Sequence, residues 1–184
     1  TTFGGHDAVW WIKDDTWTSP EGKTLGDYVA DDSFTAVVIF SINSMSTDGS
    51  HYYDFRRILG QGGGGTSWGI GIGDSQIGLG IKTSGTYKEI FLPAPDVGEK
   101  CILQFRLKDG VLSARKGGGA AWTNFGGDPP ATVGTLEEMG YFLTSFSVND
   151  KADVNVALLL ITKDALTTET LDYFCIWAEA EYGF

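Results

Sequence analysis

Few residues of this chain have the types that acid–base or nucleophilic chemistry needs. The 184 residues include two histidines, His6 near the start and His51 in a predicted loop, and two cysteines. A lone loop histidine is more often a surface residue than a general base. Cys101 lies in a strand pattern and Cys175 on the apolar side of a predicted helix, so both thiols are expected to be buried and poorly reactive. A disulfide between them would require this helix to pack over that strand, which the sequence leaves open.

Aspartates are concentrated in and beside predicted loops, where the oxygen ligands of calcium usually come from. They are Asp14, Asp15, Asp31, Asp32, Asp74, Asp150 and Asp153. Because no EF-hand spacing occurs, the favoured interpretation is that they are solvated turn residues. We therefore expect no cofactor, with calcium as the metal to consider and Asn149, Asp150 and Asp153 as its first ligands.

Aromatic side chains in predicted loops are the best candidates for binding a ligand. Sugar binding needs aromatic faces against which pyranose rings can lie, and planar polar groups for the hydroxyls. The candidates in loops or at loop edges are His51, Tyr52, Tyr53, Trp68, Trp122 and Asn124. Among the tryptophans, Trp122 has the best prospect of exposure because it lies in the glycine-rich segment 117–130.

Short apolar and alternating segments predict the strands that would position these residues. The predicted strands are residues 8–13, 34–42, 55–60, 68–73, 76–82, 87–92, 101–108, 111–116, 141–148 and 154–161. Asp109-Gly110 predicts a tight hairpin turn, and residues 117–130 are predicted to form a long loop. Residues 154–161 are nearly all apolar, which predicts a strand that is buried on both faces.

The end of the chain predicts a single helix. Thr167 can cap its N-terminus and Glu169 is favourable in its first turn. The apolar positions at helical spacing are Leu171, Phe174, Cys175, Ala178 and Tyr182, and Asp172 and Glu179 are expected on the solvent side. We predict an all-β fold, an antiparallel two-sheet sandwich with one C-terminal α-helix, formed by residues 1–184 as a single domain.

One face of the hairpin 68–82 consists almost entirely of glycine. Its members are Gly69, Gly71, Gly73, Gly78 and Gly80. Such a face would let a flat ligand or a neighbouring subunit approach the backbone closely. The favoured alternative is that a loop of the same chain lies there.

Composition narrows the classes of partner. Asp and Glu outnumber Lys and Arg by 24 to 13, giving a formal charge of -11, which repels a phosphate backbone. We therefore expect no nucleic-acid partner. The chain has no run of 18 apolar residues, so no membrane insertion is expected. Residues 1–9 lack the basic and apolar regions of a signal peptide.

Three segments carry motifs of a known fold family. Residues 155–184 combine an apolar strand, the turn Asp164-Ala165-Leu166-Thr167 and a helix ending in Glu181-Tyr182-Gly183-Phe184, while residues 8–15 and 98–117 supply an opening strand and a hairpin. Together they resemble the concanavalin A-like, laminin-G-like jelly-roll superfamily. The resemblance implies one jelly-roll domain. Because this superfamily includes lectins, glycanases, lyases, adhesion modules and viral surface domains, the function must be argued from the site.

The catalytic motif of glycanases with this architecture is missing. Those enzymes carry E-x-D-x-x-E on one strand, since retaining chemistry needs two carboxylates about 5 Å apart. Here Glu89 stands alone, and Glu137 and Glu138 are adjacent and point to opposite sides. An inverting pair drawn from residues distant in the sequence remains an open alternative.

The residue set of alginate-lyase-like members is incomplete. The resemblance would require Gln, His, Tyr and Arg side chains in one groove, and Gln76, Tyr87 and Arg57 are available. Neither histidine lies in a Q-x-H strand pattern. We therefore assign no catalytic residues.

The resulting prediction is a non-enzymatic recognition or structural module at a virion surface or in the extracellular space. As a phage decoration, spike or fibre protein, it would contact a capsid or tail protein, its own copies and possible cell-surface glycans. The alternatives are a secreted carbohydrate-binding lectin module and, third, a glycoside hydrolase or polysaccharide lyase.

Overall fold

The protein is a β-sandwich with one terminal helix. The computed structural model describes residues 33–44, 56–61, 66–73, 75–83, 86–125, 153–162 and 164–183. Its elements are β1 (Phe34–Ser44), β2 (Arg56–Gln61), β3 (Thr66–Gly73), β4 (Gln76–Thr83), β5 (Thr86–Pro93), β6 (Lys100–Lys108), β7 (Val111–Lys116), β8 (Thr123–Phe125), β9 (Asp153–Thr162) and α1 (Thr168–Tyr182). The predicted strands 8–13 and 141–148 lie outside the described residues.

The described strands form two antiparallel sheets. The five-stranded sheet has the order β8-β7-β6-β1-β9, and the four-stranded sheet has the order β2-β3-β4-β5. Strand β1 pairs antiparallel with both β6 and β9. The predicted all-β, two-sheet sandwich with a C-terminal helix is thus confirmed.

The hydrophobic core lies between the two sheets because each sheet turns its apolar alternate positions inward. Phe34, Val38 and Phe40 of β1 meet Leu103 and Phe105 of β6 there, all essentially without solvent exposure. The four-stranded sheet contributes mainly isoleucine and leucine: Ile58, Ile70, Ile72, Ile77, Leu79, Ile81, Ile90 and Leu92.

The hairpin between β6 and β7 has the predicted turn. Asp109 and Gly110 both adopt positive φ, at 50° and 73°. This is the backbone twist that Asp-Gly favours in two-residue hairpins. The turn fixes the register, so that Arg106 lies opposite Ser113 and Gln104 lies opposite Arg115.

Helix α1 begins and ends at residues suited to those positions. The Thr167 side chain accepts a hydrogen bond from the Thr170 backbone N–H, and Gly183 ends the helix in the left-handed conformation at φ 66°. Its buried residues Leu171, Cys175 and Ala178 pack on the face of the five-stranded sheet that points away from the core. The predicted helix and its apolar face are confirmed.

Two strand predictions need correction. Strand β9 was expected to be buried on both faces, but its described side chains are exposed or only partly buried. Within the described strands it is an edge strand, so it packs against neighbours on one side only. The predicted loop 117–130 contains β8, which pairs with β7 through Ser113 and Asn124.

The two cysteines are buried and unpaired. Cys101 belongs to the core between the sheets, whereas Cys175 lies under the helix on the other face of the five-stranded sheet. Although the helix does pack over the sheet, these thiols are on opposite faces, which prevents a disulfide.

The glycine face of β3 and β4 is buried. Gly69, Gly71, Gly73, Gly78 and Gly80 have little solvent exposure. This burial disfavours an open face for a flat ligand or a second subunit. In the part of the chain that the structure describes, no helix is long and apolar enough to cross a membrane.

Candidate functional site

The strongest candidate site lies on the outer face of the five-stranded sheet, beside the start of α1. Strand register brings Arg106, Ser113 and Asn124 into one row, with Arg115 beside them. Trp122 directly precedes β8 and lies over the two arginines. We call these five residues the Trp122 surface.

Arg115 is a buried residue of the Trp122 surface. Its side chain is 1 % exposed, and all three of its nitrogens donate hydrogen bonds. Nε donates to Gln104 Oε1 at 2.6 Å, Nη1 to the Ala120 carbonyl at 3.3 Å and Nη2 to Asp172 Oδ1 at 2.7 Å. A buried guanidinium that is paired and fully hydrogen-bonded is held in one position.

Asp172 was expected to mark the solvent side of α1; its side chain is 38% exposed, and it also accepts hydrogen bonds from outside the helix. Its Oδ1 accepts hydrogen bonds from the Gly119 backbone N–H at 3.0 Å and from Arg115. These contacts, the Gly119 bond first, hold the pKa of the Asp172 carboxyl below its usual range. Asp172 therefore ties the helix to segment 117–119 and neutralises Arg115.

Arg106 is the second cation, and it lacks a counter-ion within the described residues. Its Nη1 donates to the Leu166 carbonyl at 2.9 Å, while its Nε has no hydrogen-bond partner. Partial burial and the neighbouring Arg115 charge lower the pKa of Arg106. Arg106 therefore places beside the Trp122 ring a positive charge that no carboxylate of the described residues neutralises.

Trp122 is held in place from two directions. The guanidinium carbons of Arg106 and Arg115 lie 4.2 Å and 4.5 Å from its ring centroid, within cation–π range. Its indole Nε1 donates to Thr168 Oγ1 at 3.1 Å. The ring is partly exposed, so the structure presents a fixed aromatic surface.

Asn124 supplies an exposed amide two residues further along the same face. In the described part of the chain this amide makes no hydrogen bond. An amide carries both a donor and an acceptor group, which can bind neighbouring sugar hydroxyls. The predicted site residues Trp122 and Asn124 are thus brought together.

The other predicted ligand-contact residues are not placed on this surface. His51, Tyr52 and Tyr53 lie outside the described residues. Trp68 belongs to β3 of the other sheet, where only its backbone is described.

Sequence reasoning missed the two arginines, although a signal was present. Gln104 and Arg106 occupy the polar positions of β6, and the turn at Asp109-Gly110 places Arg115 opposite Gln104. Two arginines on one face of a hairpin indicate a polar face that other residues of the chain partly cover.

The cysteines do not provide a nucleophile. Burial raises the pKa of the Cys101 thiol to about 12, and burial also raises the pKa of Cys175. Gln104 Nε2 donates to Cys175 Sγ at 2.6 Å and to the Leu171 carbonyl at 3.3 Å, which anchors α1 to the sheet. Both thiols are therefore protonated near neutral pH and unreactive.

Asp153 makes a small polar cluster where β1 and β9 meet. Its two carboxylate oxygens accept hydrogen bonds from Asn43 Nδ2 at 3.0 Å and Ser44 Oγ at 2.9 Å. Asn149 and Asp150, the other predicted metal ligands, lie outside the described residues. The described ranges contain no group of three His, Cys, Asp or Glu side chains that could hold a metal ion.

A cleft of about 380 Å³ opens near the C-terminus of α1. Its charged lining residues are Asp96, Glu99, Lys100, Lys116 and Glu179. Lys100 Nζ donates hydrogen bonds to the Tyr182 and Gly183 carbonyls and so caps the C-terminus of α1. No aromatic residue lines this cleft, so it suits a sugar ring less well than the Trp122 surface does.

Comparison with known proteins was informative only at the level of structure. No protein-family model matches this chain, and no curated protein matches it. The binding domain of botulinum neurotoxin serotype D superposes with a TM-score of 0.63 at 11% identity, covering 94% of this chain and 45% of that one. This chain thus spans about half of the toxin binding domain.

Two other solved structures match over more of their own length. The CBM40 of the Ruminococcus gnavus IT-sialidase, bound to alpha2,3 sialyllactose, has a TM-score of 0.58 at 10% identity, covering 95% of this chain and 99% of that one. Domain 4 of the Geobacillus stearothermophilus arabinanase AbnA, in complex with arabinotriose, has a TM-score of 0.56 at 13% identity, covering 80% and 68%. At such identities the likeness establishes the fold alone: this chain is a β-sandwich like these domains.

Proposed function

We propose that this chain is a non-enzymatic glycan-binding domain and that the Trp122 surface contacts the sugar. The observation that carries the proposal is the fixed, partly exposed Trp122 ring with the exposed Asn124 amide on the same sheet face. A ring that is already ordered loses little conformational entropy when a ligand binds.

The chemistry of the surface suits a sugar. The C–H face of a pyranose ring packs against an aromatic face, and the Asn124 amide can exchange hydrogen bonds with two hydroxyls. The Arg106 guanidinium, which lies over the Trp122 ring, adds a positive charge to this surface. His51, Tyr52, Tyr53 and Trp68 are further proposed contacts, each to be tested by substitution.

The structural neighbours support this proposal to different degrees. CBM40 and AbnA domain 4 are compared over two thirds or more of their own length, and both hold oligosaccharides. The toxin binding domain gives weaker support because less than half of it is matched, so its ligand contacts need not lie in the shared part.

We propose an extracellular or virion-surface location for the whole chain, residues 1–184 acting as one domain. As a phage decoration, spike or fibre module it would join a capsid or tail protein and its own copies to a cell-surface glycan. The formal charge of -11 favours solubility and disfavours nucleic acid as a ligand.

A glycan array followed by calorimetry tests the proposal. We expect saturable binding of at least one oligosaccharide, weakened at least tenfold by Trp122→Ala and several-fold by Asn124→Ala. Val97→Ser is the matched control, since Val97 is 56 % exposed and lies in the loop between β5 and β6, outside the Trp122 surface. Thermal unfolding of each variant separates lost contacts from lost folding.

The outcomes are decisive in both directions. Silence across neutral and acidic glycans would overturn the proposal, as would binding that Trp122→Ala and Asn124→Ala leave unchanged. New reducing ends after incubation with a bound oligosaccharide would replace it by the hydrolase alternative, and an unsaturated product would replace it by the lyase alternative.

A further inference from the structure

We propose that the outward side of α1 is a docking face for a protein segment with apolar side chains at its centre and Lys or Arg at both ends. This proposal concerns a different surface from the Trp122 surface and does not depend on glycan binding. Three features of the helix lead to it: an exposed apolar patch, the fixed Trp177 ring in that patch and the acidic residues around it.

Helix α1 is apolar on two sides, and among the described residues only one of these sides is covered. Leu171, Cys175 and Ala178 are buried against the sheet. On the other side Tyr173, Ile176 and Trp177 are 67 %, 64 % and 47 % exposed. Because residues three and four apart are neighbours on a helix, these three form one contiguous patch, which we call the α1 patch.

The Trp177 ring of the α1 patch is held in place by two neighbouring rings. The Trp177 ring packs on Phe174 with centroids 5.3 Å apart and meets the Tyr182 ring edge-on at 6.0 Å. Rigid Trp and Tyr side chains are the residues that most often dominate the binding energy of protein interfaces. A single exposed apolar residue needs no explanation, but a contiguous patch of three around a fixed Trp ring is a candidate binding surface.

Acidic residues stand at both ends of the patch. Glu169, Tyr173, Trp177 and Glu181 are spaced four apart, so they follow one ridge of the helix with a carboxylate at each end. The two glutamates are separated by twelve residues, or about 18 Å along the axis. The helix contains no basic residue, and of its acidic residues Asp172 is neutralised by Arg115.

Charge and size together indicate the occupant. A second copy in an antiparallel, two-fold contact would bring Glu169 of one chain beside Glu181 of the other, which is repulsive. The three side chains expose on the order of 300–400 Å² together, whereas a stable dimer buries about 800 Å² per partner. A short basic-ended segment satisfies both the charges and the area.

The test uses defined synthetic peptides and the full chain. One 15-residue helix-forming peptide carries Leu and Trp at its centre and Lys-Arg pairs at its ends, and a matched peptide has Glu at those end positions. Fluorescence anisotropy measures binding of each peptide at low and high salt. We expect the basic peptide to bind and the acidic peptide to bind at least tenfold more weakly, with a difference that shrinks at high salt.

Variants assign the effect to the α1 patch. Trp177→Ala and Ile176→Ser should each weaken the basic peptide at least fivefold, and Glu169→Lys with Glu181→Lys should reverse the peptide preference. Val97→Ser serves as the matched control for an exposed apolar residue. Circular dichroism and thermal unfolding verify that each variant is folded; Ile176→Ser substitutes for Trp177→Ala if the latter is not.

Four outcomes would overturn the proposal. They are no binding of the basic peptide, equal binding of both peptides, no effect of the α1 variants, and a Trp177-dependent dimer in sedimentation experiments. The last outcome would assign the face to a second copy of this chain instead.

Discussion

The two faces of the five-stranded sheet are built on different principles. Among the described residues, the inner face meets the other sheet mainly through apolar side chains, with Phe34 and Phe105 in edge-to-face contact at 5.3 Å. Helix α1 covers the outer face through hydrogen bonds as well as apolar contacts. The hydrogen bonds come from Gln104 of β6 and Arg115 of β7, whose polar side chains lie on this face. Apolar packing therefore holds the sandwich together, and a polar network positions the helix and Trp122.

The difference explains why the candidate site lies outside the core. Apolar attraction is non-directional, whereas hydrogen bonds and ion pairs fix distance and direction. Among the described residues, the outer face holds the Trp122 ring at a defined place with part of its surface open to solvent. Variants of the two faces should therefore differ in kind, with stability affected on the inner face and both stability and binding on the outer face.

The largest expected effect is that of Phe105→Ala on the inner face. Phe105 has no solvent exposure and packs in the core beside Phe34. The cavity and the lost burial should lower the free energy of unfolding by about 3–5 kcal/mol. Urea unfolding measures this, and any fraction that remains folded should bind glycan normally. A cost below about 1 kcal/mol would contradict the assignment of Phe105 to a close-packed core.

Arg115→Ala is expected to have the next largest effect, and it should act on both stability and binding. The substitution leaves Gln104 Oε1 without its donor, leaves Asp172 with the Gly119 N–H alone, and removes one of the two cations that contact the Trp122 ring. We expect a loss of roughly 2–3 kcal/mol, less than for a fully buried pair because Asp172 is 38% exposed.

A comparison with Asp172→Asn sharpens this result. That substitution keeps an oxygen for Gly119 and Arg115 but removes the negative charge. If hydrogen-bond geometry is what positions Trp122, Asp172→Asn should retain most glycan binding while Arg115→Ala loses it. Equal loss of binding in both variants would indicate that the charge, not the geometry, controls the surface.

The inner face was largely predictable from the sequence because its causes are local. Alternation in β6 identifies Leu103 and Phe105 as core residues, and Asp109-Gly110 defines the register of the hairpin. The helix was predictable for the same reason, since Thr167 and the spacing of its apolar residues are local signals.

The outer face was less predictable because its contacts join residues that are distant in the sequence. Asp172 and Arg115 are 57 residues apart, and nothing local to either one indicates their ion pair. Strand β8 has only three residues, all exposed, so it carries no alternation that would predict a strand. Trp122 could be selected as a candidate by its type and its glycine-rich surroundings, but its arginine partners could not.

The free energy of unfolding at alkaline pH should depend on the burial of the Cys101 thiol on the inner face. Its pKa of about 12 in the folded chain exceeds the usual value of 9.0, so the unfolded chain loses this proton first. The stabilisation is complete below pH 9 and is lost as the pH rises from 9 towards 12, at about 1.4 kcal/mol per pH unit. Cys101→Ala should lose less stability than the wild type between pH 9 and 10. Parallel pH profiles of the two proteins would contradict this burial.

The smallest expected effect is that of Thr168→Val, which removes only the acceptor of the Trp122 indole N–H on the outer face. A single hydrogen bond at a partly exposed site contributes about 0.5–1 kcal/mol, so unfolding should shift by no more than that. The two arginines still hold the ring, and glycan affinity should therefore change less than threefold. A tenfold loss of affinity with unchanged stability would mean that Thr168, not the arginine pair, sets the position of Trp122. In that case the start of α1, and not the sheet, would be the element that organises the binding surface.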